Sequence, residues 1–580
     1  MRKDDTFAAE ITKNLNNMKK FLSLAIIVAS ALQMQAQMIL SENHAMLRLE
    51  QDKKYVLLPV EEKAENANVR VIDTNNQCTR RPNVRLAVDN VDYFVPLEIK
   101  DAQVLDIVFH GDRRTTGNIK DFACWKEIRY ADTFDTTNRE RFRPAYHHTP
   151  EYGWMNDPNG MFYWDPEQTG NGEWHLCYQW NPYGSLWENM TWGHSVSKDL
   201  IHWQHLPAAV EPDAIGTIFS GSCVVDKNNT SGYGKNSVIA FYTSAGDNQT
   251  QSMAYSTDGG RTFKKYDKNP VIVSDAPDFR DPHLFWHEPT QKWIMLLAVG
   301  QEMQIFSSPN LKDWTYESSF GREYGNHNGV WECPDLFPLD GKWVLLCNIN
   351  PGGPYGGNAT QYFVGQFDGH KFTCESMPNV TKWMDYGKDH YATVTFDNAP
   401  DNRRVAIVWM SNWQYANQVP TKQFRSANAL PRDLHLFTDG TESYLAILPS
   451  KEVDALRANK TKKLTDACEV VVDVKGTMQL TFANTKGEQV VMTYDQQKQT
   501  FAMDRNKSGD VSFSEAFPVE TVAPTHGIIK QLRIFIDHSS IEVFDTNGKM
   551  AMTNLVFPSE PYNTLKVKGG KATIYELRKN

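Results

Sequence analysis

Apolar and polar residues alternate along most of the chain, and the three-to-four spacing of an amphipathic helix is nearly absent, so the pattern predicts an all-β protein. Within residues 38–141 the runs "KYVLLPV", "NVRLAVD", "DYFVPLEI" and "VLDIVFHG" read as short strands between polar or Asn/Asp turns, a small β-rich accessory module. Residues 142–450 carry a recurring unit: a strand-like run, a polar turn and an aromatic, in "SKDLIHW", "STDGGRTF", "SSPNLKDW" and "FDGHKF". The closing aromatics Trp203, Phe263, Trp314 and Phe372 recur at roughly 50 to 60 residues, room for about four short strands each, which is how a β-propeller blade reads in sequence. Some 300 residues then hold about five blades. Beyond a lysine-rich connector, residues 451–463, the texture changes. "VVVDV", "MQLTFAN", "QVVMTYD", "TFAMDR", "QLRIFIDHSSIEVFDTNGKMAMTNLVFP" and "KATIYELR" alternate cleanly; Leu532, Ile534 and Ile536 share a face, and Asn547-Gly548 offers a two-residue hairpin turn. Residues 464–580 therefore read as a C-terminal β-sandwich. The predicted fold is a five-bladed β-propeller followed by a β-sandwich, with a β-rich module in front.

Composition narrows the partners. A chain of 580 residues, 41% hydrophobic and 22% charged, can bury two or three cores. A net charge of −10 argues against a nucleic-acid backbone or an anionic membrane as the main partner, because both need basic surface. Near the start, "MKKFLSLAIIVASALQMQAQ" (residues 18–37) joins two lysines, an apolar run and small residues, the pattern of a signal peptide. Residues 1–37 are thus expected to be leader, with translation starting at Met18 and export to periplasm or exterior; the apolar run is too short for a membrane span. Eight cysteines lie without framework spacing and read as mostly buried free thiols. No CxxC, HExxH or EF-hand pattern is present, and His147 and His148 lack partners at ligand spacing, so neither metal nor cofactor is expected. "NPGGPYGGN" (residues 350–358) lacks the terminal Gly-Lys-Ser/Thr of a phosphate cradle and reads as a flexible loop.

Three carboxylates stand in matched contexts: Asp157 in "WMNDPNG", Asp281 in "DFRDPHLFW" and Glu332 in "VWECPDLF". Each follows an aromatic, strand-like stretch and meets a proline within two residues. Proline restricts its predecessor, so Asp157 and Asp281 are expected to be held extended at strand ends, with the DPNG turn closing the first inner strand. The three acids fall in different repeats, and inner propeller strands converge on one channel, so they can share a pocket. Paired carboxylates cleave glycosidic bonds when one attacks the anomeric carbon and the other protonates the leaving oxygen. Asn156 and the turn N–H groups can donate to Asp157, as suits a nucleophile. Glu332, desolvated beside other acids, is expected to hold its proton and serve as the acid. Taken alone, Asp-Pro-Asn-Gly is an ordinary turn sequence; three such acids shift the reading to a site.

The motifs "WMNDPNG", "YQWNP", "WGHSVSKDLIHW", "FSGS", "FRDP", "WECPDLF" and "LRIFIDHSSIEVF", in this order, resemble glycoside hydrolase family 32, the fructan-cleaving enzymes that include invertases, inulinases and levanases. The likeness runs from Arg143 to the C-terminus. It implies a propeller followed by a sandwich, retention at the fructosyl carbon, Asp157 as nucleophile, Glu332 as general acid/base and Asp281 as transition-state stabiliser. It also implies that Asn156, Gln179, Trp187, Phe219, Ser220, Arg280 and Trp409 line the fructose subsite, with Asp389 of "DHYA" beside them. Arg280 is expected to hold Asp281 ionised, and Trp187 and Trp409 to stack on the sugar or exclude water. In "YHHTP", His148 replaces the usual apolar residue, which puts its packing in question. The expected activity is exo-hydrolysis of terminal β-fructofuranosyl bonds in levan or inulin, and in sucrose. Fructosyl transfer, non-catalytic fructan capture and, more distantly, cleavage of arabinose polymers are the alternatives; linkage preference and oligomeric state are not legible.

Overall fold

The computed structural model describes residues 37–137 and 139–579. The expected signal peptide, its start at Met18 and all but the last residue of the 1–37 leader lie outside the described residues. Among the described residues strands dominate, and the helices are short, such as Arg113–Thr116, Cys124–Glu127 and Lys451–Leu456. The chain divides into two compact units at Asp135/Thr136.

The first unit packs a six-stranded antiparallel sheet and a three-stranded one. Three of its four expected strands form, as Tyr55–Val60, Tyr93–Glu98 and Ala102–Phe109. "NVRLAVD" shrinks to the two-residue strand Asn83–Val84, and the longer partner of Ala102–Phe109 is Ala67–Asp73, whose alternation sequence reading passed over.

The second unit begins with five sheets, each built on four antiparallel strands that are consecutive in the first four and interrupted once, by Phe424–Arg425, in the fifth. Their innermost strands are Gly153–Trp164, Thr217–Asp226, Phe279–His287, Val330–Leu339 and Tyr391–Thr395, called here blades 1 to 5. Each inner strand touches the next, and blade 5 touches blade 1, so the ring is closed. A parallel pairing of Gly153–Trp154 with Phe424–Arg425 seals the seam, helped by a bridge between Phe162 and Asp397. The recurring aromatic has a physical origin. It opens or directly precedes the outermost strand of blades 1 to 4, and the Asx residue a few positions earlier accepts two backbone N–H groups of the turn. Asp199 takes those of Ile201 and His202, Asp258 those of Arg261 and Thr262, Asn310 those of Lys312 and Asp313, and Asp368 those of His370 and Lys371.

Past the propeller, a nine-stranded antiparallel system forms the sandwich. "VVVDV" and "MQLTFAN" are one long strand, Cys468–Ala483, that pairs with Gln531–Asp537 along its first half and Gln489–Asp495 along its second, a bulge between them. The tight hairpin turn is His538-Ser539, between Asp537 and Ser540, while Asn547-Gly548 lies in a longer connection. The lysine-rich connector is not a free linker: Arg457–Thr461 pairs with the last strand, Thr564–Leu577. Propeller and sandwich share core, since Leu346 and Leu434 cluster with Phe535 and Phe544, and Met410 with Phe517 and Phe557. At that junction His147 lies 2.7 Å from Asp537 and 2.8 Å from Glu542, and Arg432 bonds both Asp385 and Glu542. His148 is accommodated by Asn428 at 2.8 Å and Ser195 at 2.9 Å. All eight cysteines are free and six are buried. The glycine-rich loop at 350–358 is tied down by Tyr355, whose hydroxyl receives the Val522 N–H at 2.6 Å.

Candidate active site

In all five blades the inner strand gains one residue on its neighbour at the same level. Three steps oppose two between Met155 and Pro158, Ile218 and Gly221, Arg280 and His283, Glu332 and Asp335, and Tyr391 and Val394. Such a bulge re-aims side chains without ending the strand. The bulged pairs are Asn156-Asp157, Phe219-Ser220, Asp281-Pro282, Cys333-Pro334 and Ala392-Thr393; Arg280, Glu332 and Tyr391 stand immediately before theirs.

Two expectations change here. Asp-Pro-Asn-Gly does not close a strand: Gly153–Trp164 runs through it, absorbing its turn tendency in two consecutive register shifts. Nor is the residue before proline extended in every case. Asp281 has φ +63°, and Cys333, ahead of Pro334, has φ +43°, left-handed conformations that the flanking ladder imposes on the bulge.

Position by position, blades bring the acids together. The Asp157 carboxylate accepts from Asn156 Nδ2 at 2.9 Å and from Ser220 Oγ of blade 2 at 2.6 Å. Trp154 Nε1 in turn donates to Asn156 Oδ1 at 2.7 Å and fixes the amide's orientation. The Cys333 thiol, from blade 4, donates to Asp157 Oδ2 at 3.4 Å and Asp281 Oδ2 at 3.6 Å, and its backbone N–H reaches Asp281 at 2.9 Å. Burial among three carboxyl groups pushes that thiol well up, which keeps it a donor. Glu332 is gripped from both neighbouring blades by residues at its own level: Arg280 of blade 3 donates at 2.8 Å to Oε1, and the Tyr391 hydroxyl of blade 5 donates to Oε2.

Burial raises the pKa of Glu332; Arg280 and the Tyr391 hydrogen bond oppose the rise and Asp157 adds to it. Asp281 is pushed up to about 7, first by burial, then by Glu332 and Asp157, against the pull of Arg280 and the Cys333 N–H. Arg280 is the main influence favouring ionised Asp281, but burial outweighs it. Its guanidinium is spent on Glu332, on Asp278 at 2.6 Å and on Gln249 at 3.2 Å, and its nearest approach to Asp281 is 4.0 Å. One cation among three acids cannot neutralise them all.

The remaining expected residues divide. Gln179 faces the first bulge, between Tyr178 and Trp180, which pair with Pro158 and Met155; its Nε2 has no protein partner. Trp187 is 42% exposed and meets Phe219 edge-on at 6.0 Å, forming an aromatic rim. Trp409 is not a stacking platform: it is fully buried behind Tyr391, packed on Trp154 and Trp413, with Nε1 unpartnered. Asp389 is not in the site. It is sealed at the sandwich junction, bonded by Arg505, by the Tyr415 hydroxyl at 2.5 Å and by the Leu555 N–H at 2.7 Å. Sequence reading missed Tyr391 and Cys333. Their signals, a tyrosine two positions after Asp389 and a cysteine adjoining Glu332, say nothing of partners contributed by other blades.

A cavity of about 1660 Å³ lies at the other end of the inner strands and is lined by none of the three acids. Chemistry, not volume, marks the bulged end as the site. Among the described residues no group of three or more His, Cys, Asp or Glu side chains is arranged to hold a metal ion.

A closed five-bladed propeller joined to a β-sandwich, with three carboxyl groups converging at one mouth of the channel, is the architecture of a carboxylate-dependent glycoside hydrolase. Comparison with known families agrees: the glycosyl hydrolases family 32 N-terminal domain matches residues 147–449 and the family's C-terminal domain residues 441–578, while residues 41–146 match a domain of unknown function, DUF4980. The chain belongs to glycoside hydrolase family 32. It is 45% identical to a levanase of Bacillus subtilis over 76% of this chain and 71% of that one, and 38% identical to an extracellular exo-inulinase of Aspergillus awamori over 78% and 96%. The crystal structure of the Aspergillus awamori exo-inulinase superposes with a TM-score of 0.70 at 35% identity, covering 77% of this chain and all of that one. A β-fructofuranosidase of Schwanniomyces occidentalis complexed with fructosyl-erythritol gives 0.67 at 33% identity, over 75% and 98%.

Proposed function

We propose that this glycoside hydrolase is an exported, retaining β-fructosidase that removes terminal β-D-fructofuranosyl units from levan or inulin, and from sucrose. The observation that carries the reading is the convergence of Asp157, Asp281 and Glu332 from three blades, linked by Cys333 and Arg280. Glu332 gives its proton to the glycosidic oxygen as the bond from that oxygen to C2 breaks and an Asp157 oxygen bonds to C2. Glu332 then takes a proton from water, whose oxygen attacks C2 and frees Asp157 with fructose as product. Arg280 and Tyr391 hold both Glu332 oxygens, so the acid meets the leaving group in one orientation. Asp281, half-protonated near neutrality, can accept from or donate to fructose hydroxyls. The Trp187–Phe219 rim suits a sugar face. Export rests on the leader pattern of residues 1–37 and on extracellular relatives. We assign residues 38–141 to an accessory module, 142–450 to the catalytic propeller and 464–580 to the sandwich.

Asp157→Asn and Glu332→Ala, made separately, should each lower kcat on sucrose, inulin and levan by about a thousandfold or more. Near-normal turnover by either variant would remove the assignment. Early products resolved by size should be fructose alone; longer oligomers at high sucrose would mean fructosyl transfer, and binding without release of sugar would mean capture.

A further inference from the structure

Residues 385–390 lead into the inner strand of blade 5, and sandwich residues hold them. Strand Ala551–Leu555 lies along the segment: Tyr386 N–H donates to the Ala551 carbonyl at 3.1 Å, Lys388 N–H to Asn554 Oδ1 at 2.9 Å, Asp389 N–H to the Thr553 carbonyl at 3.2 Å, and Leu555 N–H to Asp389 Oδ2 at 2.7 Å. Gly387 permits the approach, because a Cβ there would sit 1.8 Å from the Thr553 carbonyl oxygen. Arg505, on strand Thr500–Lys507, completes the clamp. Its guanidinium pairs with Asp389 and donates to the Tyr415 hydroxyl at 2.8 Å, to the Leu555 carbonyl at 3.0 Å and to the Phe517 carbonyl at 2.9 Å. Arg505 and Asp389 are fully buried, so each is the other's necessary counter-charge.

Two residues beyond Asp389 stands Tyr391, whose hydroxyl donates to Glu332. The intervening His390 is buried and Ala392 is held at φ +53°, so this stretch has little slack. We propose that Arg505 is a positioning residue for Glu332: by clamping Asp389, the sandwich sets where Tyr391 meets the acid of the propeller. This rests on Glu332 being the acid/base. The groups facing Glu332 are Asp157 from blade 1, Arg280 and Asp281 from blade 3, Cys333 and Cys347 from its own blade and Tyr391 from blade 5. Of these, Tyr391 is the one the clamp governs. A shift of about 1 Å at its hydroxyl would forfeit the hydrogen bond. Glu332 would then release its proton less readily, because a donor favouring its ionised form is gone.

The test compares Arg505→Lys, Tyr415→Phe, Tyr391→Phe and the double variant Arg505→Lys/Tyr391→Phe in the full chain. Arg505→Lys and Tyr415→Phe should each lower kcat on sucrose about tenfold with KM little changed. They should also move the alkaline limb of kcat/KM to higher pH, as should Tyr391→Phe, and Arg505→Lys should add no further shift in the Tyr391→Phe background. Carboxyl carbon-13 NMR should show the Glu332 midpoint rising in step. If Arg505→Lys does not fold, as near-UV circular dichroism reveals, Tyr415→Phe carries the test because it keeps both charges. A folded variant with unmoved limb and unmoved midpoint, or a fully additive shift in the double variant, overturns the proposal. Should the wild type release no fructose while its Glu332 midpoint still responds to Arg505→Lys, the β-fructosidase reading falls and the positioning role stands.

Discussion

Asp281→Asn should make the protein more stable at neutral and alkaline pH, at the expense of the site. In the folded chain Asp281 titrates at about 7 instead of 3.8, chiefly because it is buried beside two other acids. Between those values the folded state binds the proton and the unfolded state does not, so stability from this group is intact in acid and falls as pH rises towards 7. The displacement of about three pH units corresponds to about 4 kcal/mol once Asp281 is ionised. Comparing about pH 4.5 with about pH 8 captures roughly 3 kcal/mol of it, because some of the penalty is already present at the lower pH. Asparagine keeps an oxygen for the Cys333 N–H and carries no charge at either pH. The propeller–sandwich unit has about 445 residues, for which an unfolding entropy near 2 cal/mol/K per residue converts 3 kcal/mol to a Tm change of about 3 °C. Scanning calorimetry of wild type and variant at both pH values is the assay. The variant's Tm advantage should grow by about 3 °C from the lower pH to the higher. An advantage that is equal at both, or that shrinks, would refute the view that ionised Asp281 is a folding liability retained for function.

Other expectations follow from the same geometry. Trp187→Ala removes an exposed rim ring and should raise KM for inulin or levan about tenfold with kcat nearly unchanged, read from initial rates; a matching fall in kcat would place the ring at the reacting bond. His147, held by Asp537 and Glu542 against the cost of burial, titrates at about 9 instead of 6.5. Its contribution is therefore complete below about 6.5 and lost as pH rises through 9, so Tm should decline over that range, and His147→Gln should flatten the decline. Gly387→Ala drives a methyl group into the Thr553 carbonyl and should lower Tm by about 2 to 3 °C, corresponding to about 2 to 3 kcal/mol; an unchanged Tm would show that the sandwich does not hold this segment closely.

What the sequence displayed and what it concealed follow from the range of the forces involved. The first four blades were legible because their cue is local: an Asx side chain caps the turn before each of their outer strands, as Asp199 does ahead of Trp203, and both residues lie within one short string. The acids were legible for a related reason, since Asp157, Asp281 and Glu332 sit beside the prolines that accompany their bulges. The bulges themselves were not. A register shift is a relation between two strands, so Asp-Pro-Asn-Gly read as the end of a strand that in fact continues through it. Partnerships across blades were equally hidden: adjacency in sequence favoured Arg280 for Asp281, whereas the level shared by Arg280, Glu332 and Tyr391 on three neighbouring blades gives Arg280 to Glu332. Asp389 shows the same limit from the other side. It lies two residues from a tyrosine that reaches the acid, yet a sandwich strand more than 100 residues downstream claims its carboxylate. A site assembled from the inner strands of a ring is thus announced one residue at a time by local chemistry, while its electrostatics are decided by which residues the ring sets at equal height.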